Sequence, residues 1–108
     1  MSIPVSVVVL AQNSAATLDR ALASVRAFDE VVVVDGGSVD ATASIAAAYP
    51  NVVWRVHPFR GFAEQRNFAL RQASHPWCLV LDSDEAATPE LVEGIASRRW
   101  EDAPTSLY

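Results

Sequence analysis

Four short apolar runs alternate with four stretches of helical periodicity along this chain. Val5–Leu10 is a nearly continuous, β-branched run, the pattern of a parallel strand covered on both faces. Asn13 or Ser14 is placed to cap the next helix, whose Leu18, Ala21, Leu22 and Val25 recur at i, i+3, i+4 and i+7. Val31–Val34 is a second strand, ending at Asp35-Gly36-Gly37-Ser38. Asp40 is placed to cap a helix that buries Ala41, Ile45, Ala48 and Tyr49 and stops before Pro50. Val52–Val56 is a third strand, broken by His57-Pro58. Residues 61–73 read as helix and Trp77–Leu81 as the fourth strand. Thr88-Pro89-Glu90 then opens a last helix with a hydroxyl N-cap, proline at the first helical position and an acid in the first turn. That helix is expected to turn Leu91, Val92 and Ile95 inward.

Strands alternating with helices predict an α/β fold: one doubly wound, mainly parallel sheet of about four strands, with helices on both faces and right-handed crossovers. In a parallel sheet every strand points the same way, so all carboxyl ends lie on one edge, where open α/β sheets bind ligands. Ala11-Gln12-Asn13, Asp35 and Asp82-Ser83-Asp84 all fall on that edge. Neighbouring strands are about 4.8 Å apart, so ends that flank a central strand are roughly 10 Å apart, a gap that a nucleotide diphosphate bridges.

The chain has 108 residues, which suits a single domain over 1–108. It is 51% apolar and 19% charged, a globular composition. The formal net charge of −5, with no basic stripe, argues against nucleic acid as a partner. An anionic ligand would need local help from a metal ion, an arginine or backbone amides. Cys78 is the only cysteine, so there is no internal disulfide and no CxxC metal site. Ile3 to Ala11 lacks a positive leader and is too short to span a bilayer, so the chain is expected to be soluble and cytoplasmic.

Asp82 and Asp84 end an apolar strand one residue apart. Two carboxylates so placed repel each other and lose hydration, and a cation, or a ligand carrying one, relieves both penalties. Hard divalent ions such as Mg²⁺ or Mn²⁺ prefer oxygen ligands and often arrive with a diphosphate. The bland alternative is a loop with surplus acid, since Glu85 follows. Asp35 is either an acceptor for a nucleobase N–H or ribose hydroxyl, or a turn-forming residue ahead of two glycines. Ser38 and Asp40 read as helix-entry residues. In the 61–73 helix, Asn67 is expected on the buried face, tying helix to loop. Arg66, sharing its face with Phe62, Ala69 and Leu70, is expected to contact ligand. His57 and His75 precede prolines in separate loops without metal-ligand spacing. No GxGxxG follows the first strand, and neither a P-loop nor a GxSxG elbow occurs.

Four ordered segments, Val5-Ser6-Val7-Val8-Val9-Leu10-Ala11-Gln12-Asn13, Val33-Val34-Asp35-Gly36-Gly37-Ser38-Val39-Asp40-Ala41-Thr42, Gly61-Phe62-Ala63-Glu64-Gln65-Arg66-Asn67-Phe68-Ala69-Leu70 and Leu81-Asp82-Ser83-Asp84-Glu85, together resemble the N-terminal half of family 2 glycosyltransferases. The third segment is most similar to the branch that includes lipopolysaccharide-core glucosyltransferases. The resemblance implies a partial, Rossmann-like GT-A fold and binding of a nucleotide-sugar donor, UDP-linked, for transfer to an envelope glycan or glycolipid. It also implies that the backbone around Ala11 and Asn13 lines the uridine pocket and that Asp35 bonds the base. Arg66 would lie near base or phosphates, Asp82 would face the ribose, and Asp84, with Asp82, would hold a divalent metal, Mg²⁺ or Mn²⁺, on the diphosphate. The acceptor hydroxyl would attack the anomeric carbon as the nucleoside diphosphate leaves, and a carboxylate base would take its proton.

Two departures stand out. Ser14 occupies a position where an acid is common in the family. The acceptor-binding elements and the base are expected to be absent from this chain, which ends at Thr105-Ser106-Leu107-Tyr108 with the look of another strand opening. Among the later acids, Glu85, Glu93, Glu101 and Asp102 are weak candidates for the base. The competing reading is therefore a nucleotide-sugar-binding or interaction module without transfer activity. A phosphotransferase of the haloacid-dehalogenase kind also uses a DxD, but there the motif ends the first core strand and is not followed by Glu-Ala. The exposed sheet edge is a route to a homodimer, and the implied glycolipid acceptor places the protein at the inner membrane face.

Overall fold

Val7, Val8 and Val9 are fully buried although successive side chains of a strand point to opposite faces. That requires apolar layers on both sides of the sheet. A computed structural model describes residues 3–98 and places these valines in the central part of β1 (Ile3–Ala11). The remaining elements are α1 (Leu18–Ala23), β2 (Phe28–Asp35), α2 (Thr42–Ala47), β3 (Val52–Val56), α3 (Phe62–Gln72), β4 (Cys78–Asp82) and α4 (Pro89–Ala96). The four strands form one sheet in the order β3-β2-β1-β4, and every pairing is parallel.

The two layers are distinct. On one face Val5, Val7, Val9, Val31 and Val33 pack with Leu18 and Leu22 of α1, Ala46 of α2 and Ile95 of α4. On the other, Val8, Val32 and Val34 pack under Ala69 of α3, with Phe68 and Leu70 beside it. The sheet is thus doubly wound, as the alternation of elements predicts. Burying each valine side chain contributes about 1.5–3 kcal/mol, so an acid at Val8 would remove that and strand a charge between two layers.

Chain direction locates the crevice. From β1 the chain winds outward through β2 to β3, then α3 carries it across the opposite face to β4 on the far side of β1. The winding therefore reverses between β1 and β4, the point at which open α/β sheets take ligands. Register places Leu10 beside Asp82 and Ala11 beside Asp35, so the predicted ligand residues share one edge.

The helices depart from expectation in detail. α1 starts at Leu18 with Thr17 at its N-cap position, because residues 14–17 form a turn in which Ser14 O accepts from Thr17 N and Leu18 N. In α2, Thr42, Ala46 and the following Tyr49 are buried, whereas Ala41 and Ala48 are exposed. Thr88 does cap α4, accepting from Leu91 N at 3.1 Å, but Leu91 itself is exposed and only Ile95 is fully inward. The expected strand near Thr105–Tyr108, with Glu101 and Asp102, lies outside the described residues.

Candidate functional site

The β1 loop is built by side chains from distant parts of the chain. Asn13 adopts a left-handed conformation (φ 50°), which asparagine tolerates better than most residues. It turns the backbone so that Asn13 N donates to Ser38 Oγ at 2.7 Å and Asn13 Oδ1 accepts from Val39 N at 2.9 Å. Ser14 N donates to Thr42 Oγ1, and Ala15 N to Asp40 Oδ2. The Asp40 carboxyl also accepts from the backbone and hydroxyl of Thr42, and that hydroxyl first among the causes holds its pKa below the usual carboxylate value. Ser38, Asp40 and Thr42 are therefore the scaffold of the loop.

Asp35 is 3% exposed at the end of β2. Its Oδ2 accepts from Gly37 N at 3.0 Å and Ser38 N at 2.7 Å, while Oδ1 accepts from Ser38 Oγ. The turn-forming role that was open in the sequence is realised by these bonds. Ser38 relays Asp35 to the Asn13 backbone, so the ends of β1 and β2 are locked together.

Across the reversal point, Ser14 Oγ lies 3.0 Å from Ser83 Oγ, joining the β1 loop to the Asp82-Ser83-Asp84 loop. Around this contact two adjoining cavities open. One, of about 450 Å³, is lined by Leu10, Asn13, Ser14, Phe62, Asp82 and Asp84 among others. The second, of about 270 Å³, is lined by Ala11, Gln12, Phe59, Phe62, Gln65 and Ser83 among others. Together they fall in the range of about 300–1,000 Å³ that encloses a small ligand. A larger open groove of about 590 Å³ between α1 and α4 has walls of alanine, proline and valine with Arg20, Ser24 and Glu93 among them, and none of the predicted ligand residues lines it.

Asp82 and Asp84 are both exposed. The Asp82 carboxyl is pushed above its ordinary value, first by partial burial and then by the nearby Glu85 and Asp84 carboxylates. Glu85 is engaged in the turn, accepting from Asp82 N at 2.9 Å. Among the described residues no group of three or more His, Cys, Asp or Glu side chains is arranged to hold a metal by itself. Two free carboxylates under mutual repulsion fit a small hard cation that brings phosphate oxygens with it, and do not fit a protein-only cage.

Of the residues singled out in the sequence, Ala11, Asn13, Asp82 and Asp84 line the paired cavities. Asp35 stands beside Ala11 in register with its carboxyl turned into its own loop. Arg66 is exposed on α3, one turn beyond Phe62, and has no hydrogen bond or ion pair among the described residues. Asn67 is exposed, correcting the expected inward face. The buried polar residue of α3 is Gln65, 1% exposed, because it finds partners in the loop ahead of the helix.

The sequence matches the family model "Glycosyl transferase family 2" over residues 6–104. The chain belongs to glycosyl transferase family 2. Relatives of this family 2 chain include the lipopolysaccharide core biosynthesis glycosyltransferase LpsC of Rhizobium meliloti, 37% identical over 84% of the chain and 35% of LpsC. The succinoglycan biosynthesis protein ExoO of the same organism is 39% identical over 87% of the chain and 29% of ExoO. The chain thus spans about a third of the length of these relatives. Among solved structures, residues 1–349 of S. aureus TarS superpose with a TM-score of 0.70 at 30% identity, over 90% of the chain and 32% of that fragment. Glucosyl-3-phosphoglycerate synthase of Mycobacterium tuberculosis, solved with Mn²⁺, UDP and glucosyl-3-phosphoglycerate, gives 0.64 at 29% identity, over 76% of the chain and 35% of that enzyme. The α/β fold is that of the GT-A glycosyltransferases.

Proposed function

We propose that this chain is the donor-binding part of a glycosyltransferase that takes a nucleoside-diphosphate sugar, UDP-linked, and serves transfer to an envelope glycan or glycolipid. The observation that carries the reading is the cavity at the β1–β4 reversal, where Asn13 and Ser14 face Asp82 and Asp84. In this reading Asp84 and Asp82 would hold Mg²⁺ or Mn²⁺, which when bound would supply positive charge against a diphosphate. The Ala11–Asn13 backbone lines the nucleoside, and the remaining acceptor capacity of Asp35 Oδ1 meets a base N–H. Arg66, uncommitted within the fold, swings from α3 onto the phosphates. The solved relative with Mn²⁺ and UDP supports the same donor class.

Titration with UDP in the presence and absence of Mn²⁺, followed by amide shifts at Asn13, Asp82 and Asp84, tests the reading. A metal-dependent response at these residues is expected; its absence would sink nucleotide binding by this chain. A second reading, a module that binds donor without transfer, is favoured by one observation. Among the described residues, Asp82 and Asp84 are the only carboxylates that line the two cavities, and with both given to metal and ribose neither lining offers a further acid to deprotonate an acceptor. Release of free sugar from UDP-sugar by the 108-residue chain would exclude the module.

A further inference from the structure

We propose that Phe59 and Phe62 form an aromatic wall of the cleft that takes the flat face of the donor's nucleobase. The proposal rests on the donor-binding reading above and adds a subsite to it. Both rings are exposed, at 43% and 72%, although phenylalanine is usually buried. They meet edge to face, with centroids 4.9 Å apart and planes at 74°, a favourable aromatic arrangement. Both line the 270 Å³ cavity beside Ala11 and Gln12, and Phe62 also lines the cavity that contains Asp82 and Asp84. One ring thus borders both compartments, one largely apolar and one acidic. A nucleoside diphosphate has the matching halves: a planar ring at one end and a metal-binding charge at the other.

The wall is held in place from behind. Gly61 opens α3 with φ 123°, a conformation that disfavours side chains, and so turns Phe62 into the first helical position. Gln65 clamps the loop: its Nε2 donates to His57 O at 2.7 Å, which leaves Oε1 to accept from His57 Nδ1–H at 2.9 Å. The His57 ring stacks on Phe68 at 3.9 Å, and Glu64 stands 3.6 Å from its Nε2. On the other side Gly36 leaves no room to spare. A Cβ there would lie 2.8 Å from Gln12 Oε1 and 3.2 Å from Phe59 Cβ. Two exposed rings, one on a loop pinned at this many points and one at the head of α3, lose little freedom on binding, which favours stacking.

The test uses the 108-residue chain, with UDP and inorganic pyrophosphate as separate probes, each with Mn²⁺, read by calorimetry. Phe62→Ala and Phe59→Ala are expected to weaken UDP roughly tenfold each, the scale of a lost base–aromatic stack, and to leave pyrophosphate within about twofold. Phe62→Trp should hold UDP as well as the wild type, whereas Phe62→Leu, apolar but without a ring, should behave like alanine. Gly36→Ala, which displaces Phe59 from behind, should weaken UDP and not pyrophosphate. UDP affinity unchanged in both alanine variants would overturn the wall and leave donor binding standing. Equal loss for UDP and pyrophosphate would also overturn it, since the rings would then be supporting the fold. If the wild type ignores UDP with Mn²⁺, the donor-binding reading fails, and the wall with it.

Discussion

The two edges of the sheet carry acids in opposite conditions. At the entry edge, Glu30 lies partly buried between β1 and the loop before β4. Ser6 Oγ and Ser74 N donate to its Oε1, and Ser74 Oγ donates to Oε2. Beside it His75 Nε2 meets Asp29 Oδ2 at 2.5 Å. At the exit edge Asp82 and Asp84 are crowded by Glu85, and Arg66 stands apart from them. The contrast separates acids that hold the fold from acids that await a ligand. Hydroxyls and amides that fill a carboxylate's oxygens lower its pKa and stabilise the chain, whereas a carboxyl raised by partial burial and by neighbouring acids weakens the fold until a cation arrives. Asp35 shows that position alone does not decide: it lies on the exit edge, yet its hydrogen bonds hold its own loop and leave only spare capacity on Oδ1 for a ligand.

The comparison breaks most readily at Asp84. Asp84→Ala is expected to weaken Mn²⁺-dependent UDP binding about 100-fold, as loss of a direct metal ligand should cost at least as much as loss of the groups that orient one. Calorimetry with and without metal measures it; an effect below about threefold would return Asp84 to the class of surplus loop acids. Arg66→Ala should cost about tenfold in UDP affinity, one charge-assisted contact to phosphate, with thermal stability unchanged because the guanidinium has no partner to lose within the described fold. A change in melting temperature without a change in affinity would mean that the arginine serves the helix.

Much of this arrangement is legible in the sequence. Runs such as Val31–Val34 admit few structures other than a strand buried on both faces, and parallel topology then brings Ala11, Asp35 and Asp82 to one edge without further information. What stayed hidden depended on contacts between residues far apart in sequence. Ser14 looked like a cap for α1; it became instead the junction with Ser83, 69 residues away, and α1 began later. Asn67 was expected to be the inward polar residue of α3, but Gln65 takes that place because His57 offers it both a carbonyl and a ring nitrogen. Phe59 and Phe62 carried no signal, since an apolar residue in a sequence gives no warning that it will be exposed.

At the entry edge the prediction concerns stability. Burial alone would raise the Glu30 carboxyl, but the hydrogen bonds from Ser74 and Ser6, aided by His75, outweigh it and hold the pKa below its ordinary 4.5. A carboxyl depressed by folding contributes stability that is present above 4.5 and is lost as pH falls through the lower folded value. Glu30→Gln should therefore cost about 1 kcal/mol at pH 7, with the two proteins converging in acid. UDP affinity should not move. Urea unfolding at both pH values, paired with calorimetry, gives the answer, and a loss of UDP binding would remove the distinction between the edges.

The smallest effect has the opposite sign. Asp82 is raised above 3.8 by folding, through partial burial first and the Glu85 and Asp84 charges second. A carboxyl so raised holds its proton more tightly folded than unfolded, so its charge costs stability above the folded value, and the cost disappears below 3.8, where both states are protonated. Asp82→Asn should then make the metal-free protein more stable at pH 7, by no more than a few tenths of a kcal/mol because the group is exposed and screened. The gain should shrink in high salt and vanish below the unfolded value. Adding UDP with Mn²⁺ should reverse the order, since the ligand stabilises only the protein that binds it well. A variant less stable than the wild type without metal would mean that Asp82, like Glu30, is held for the fold.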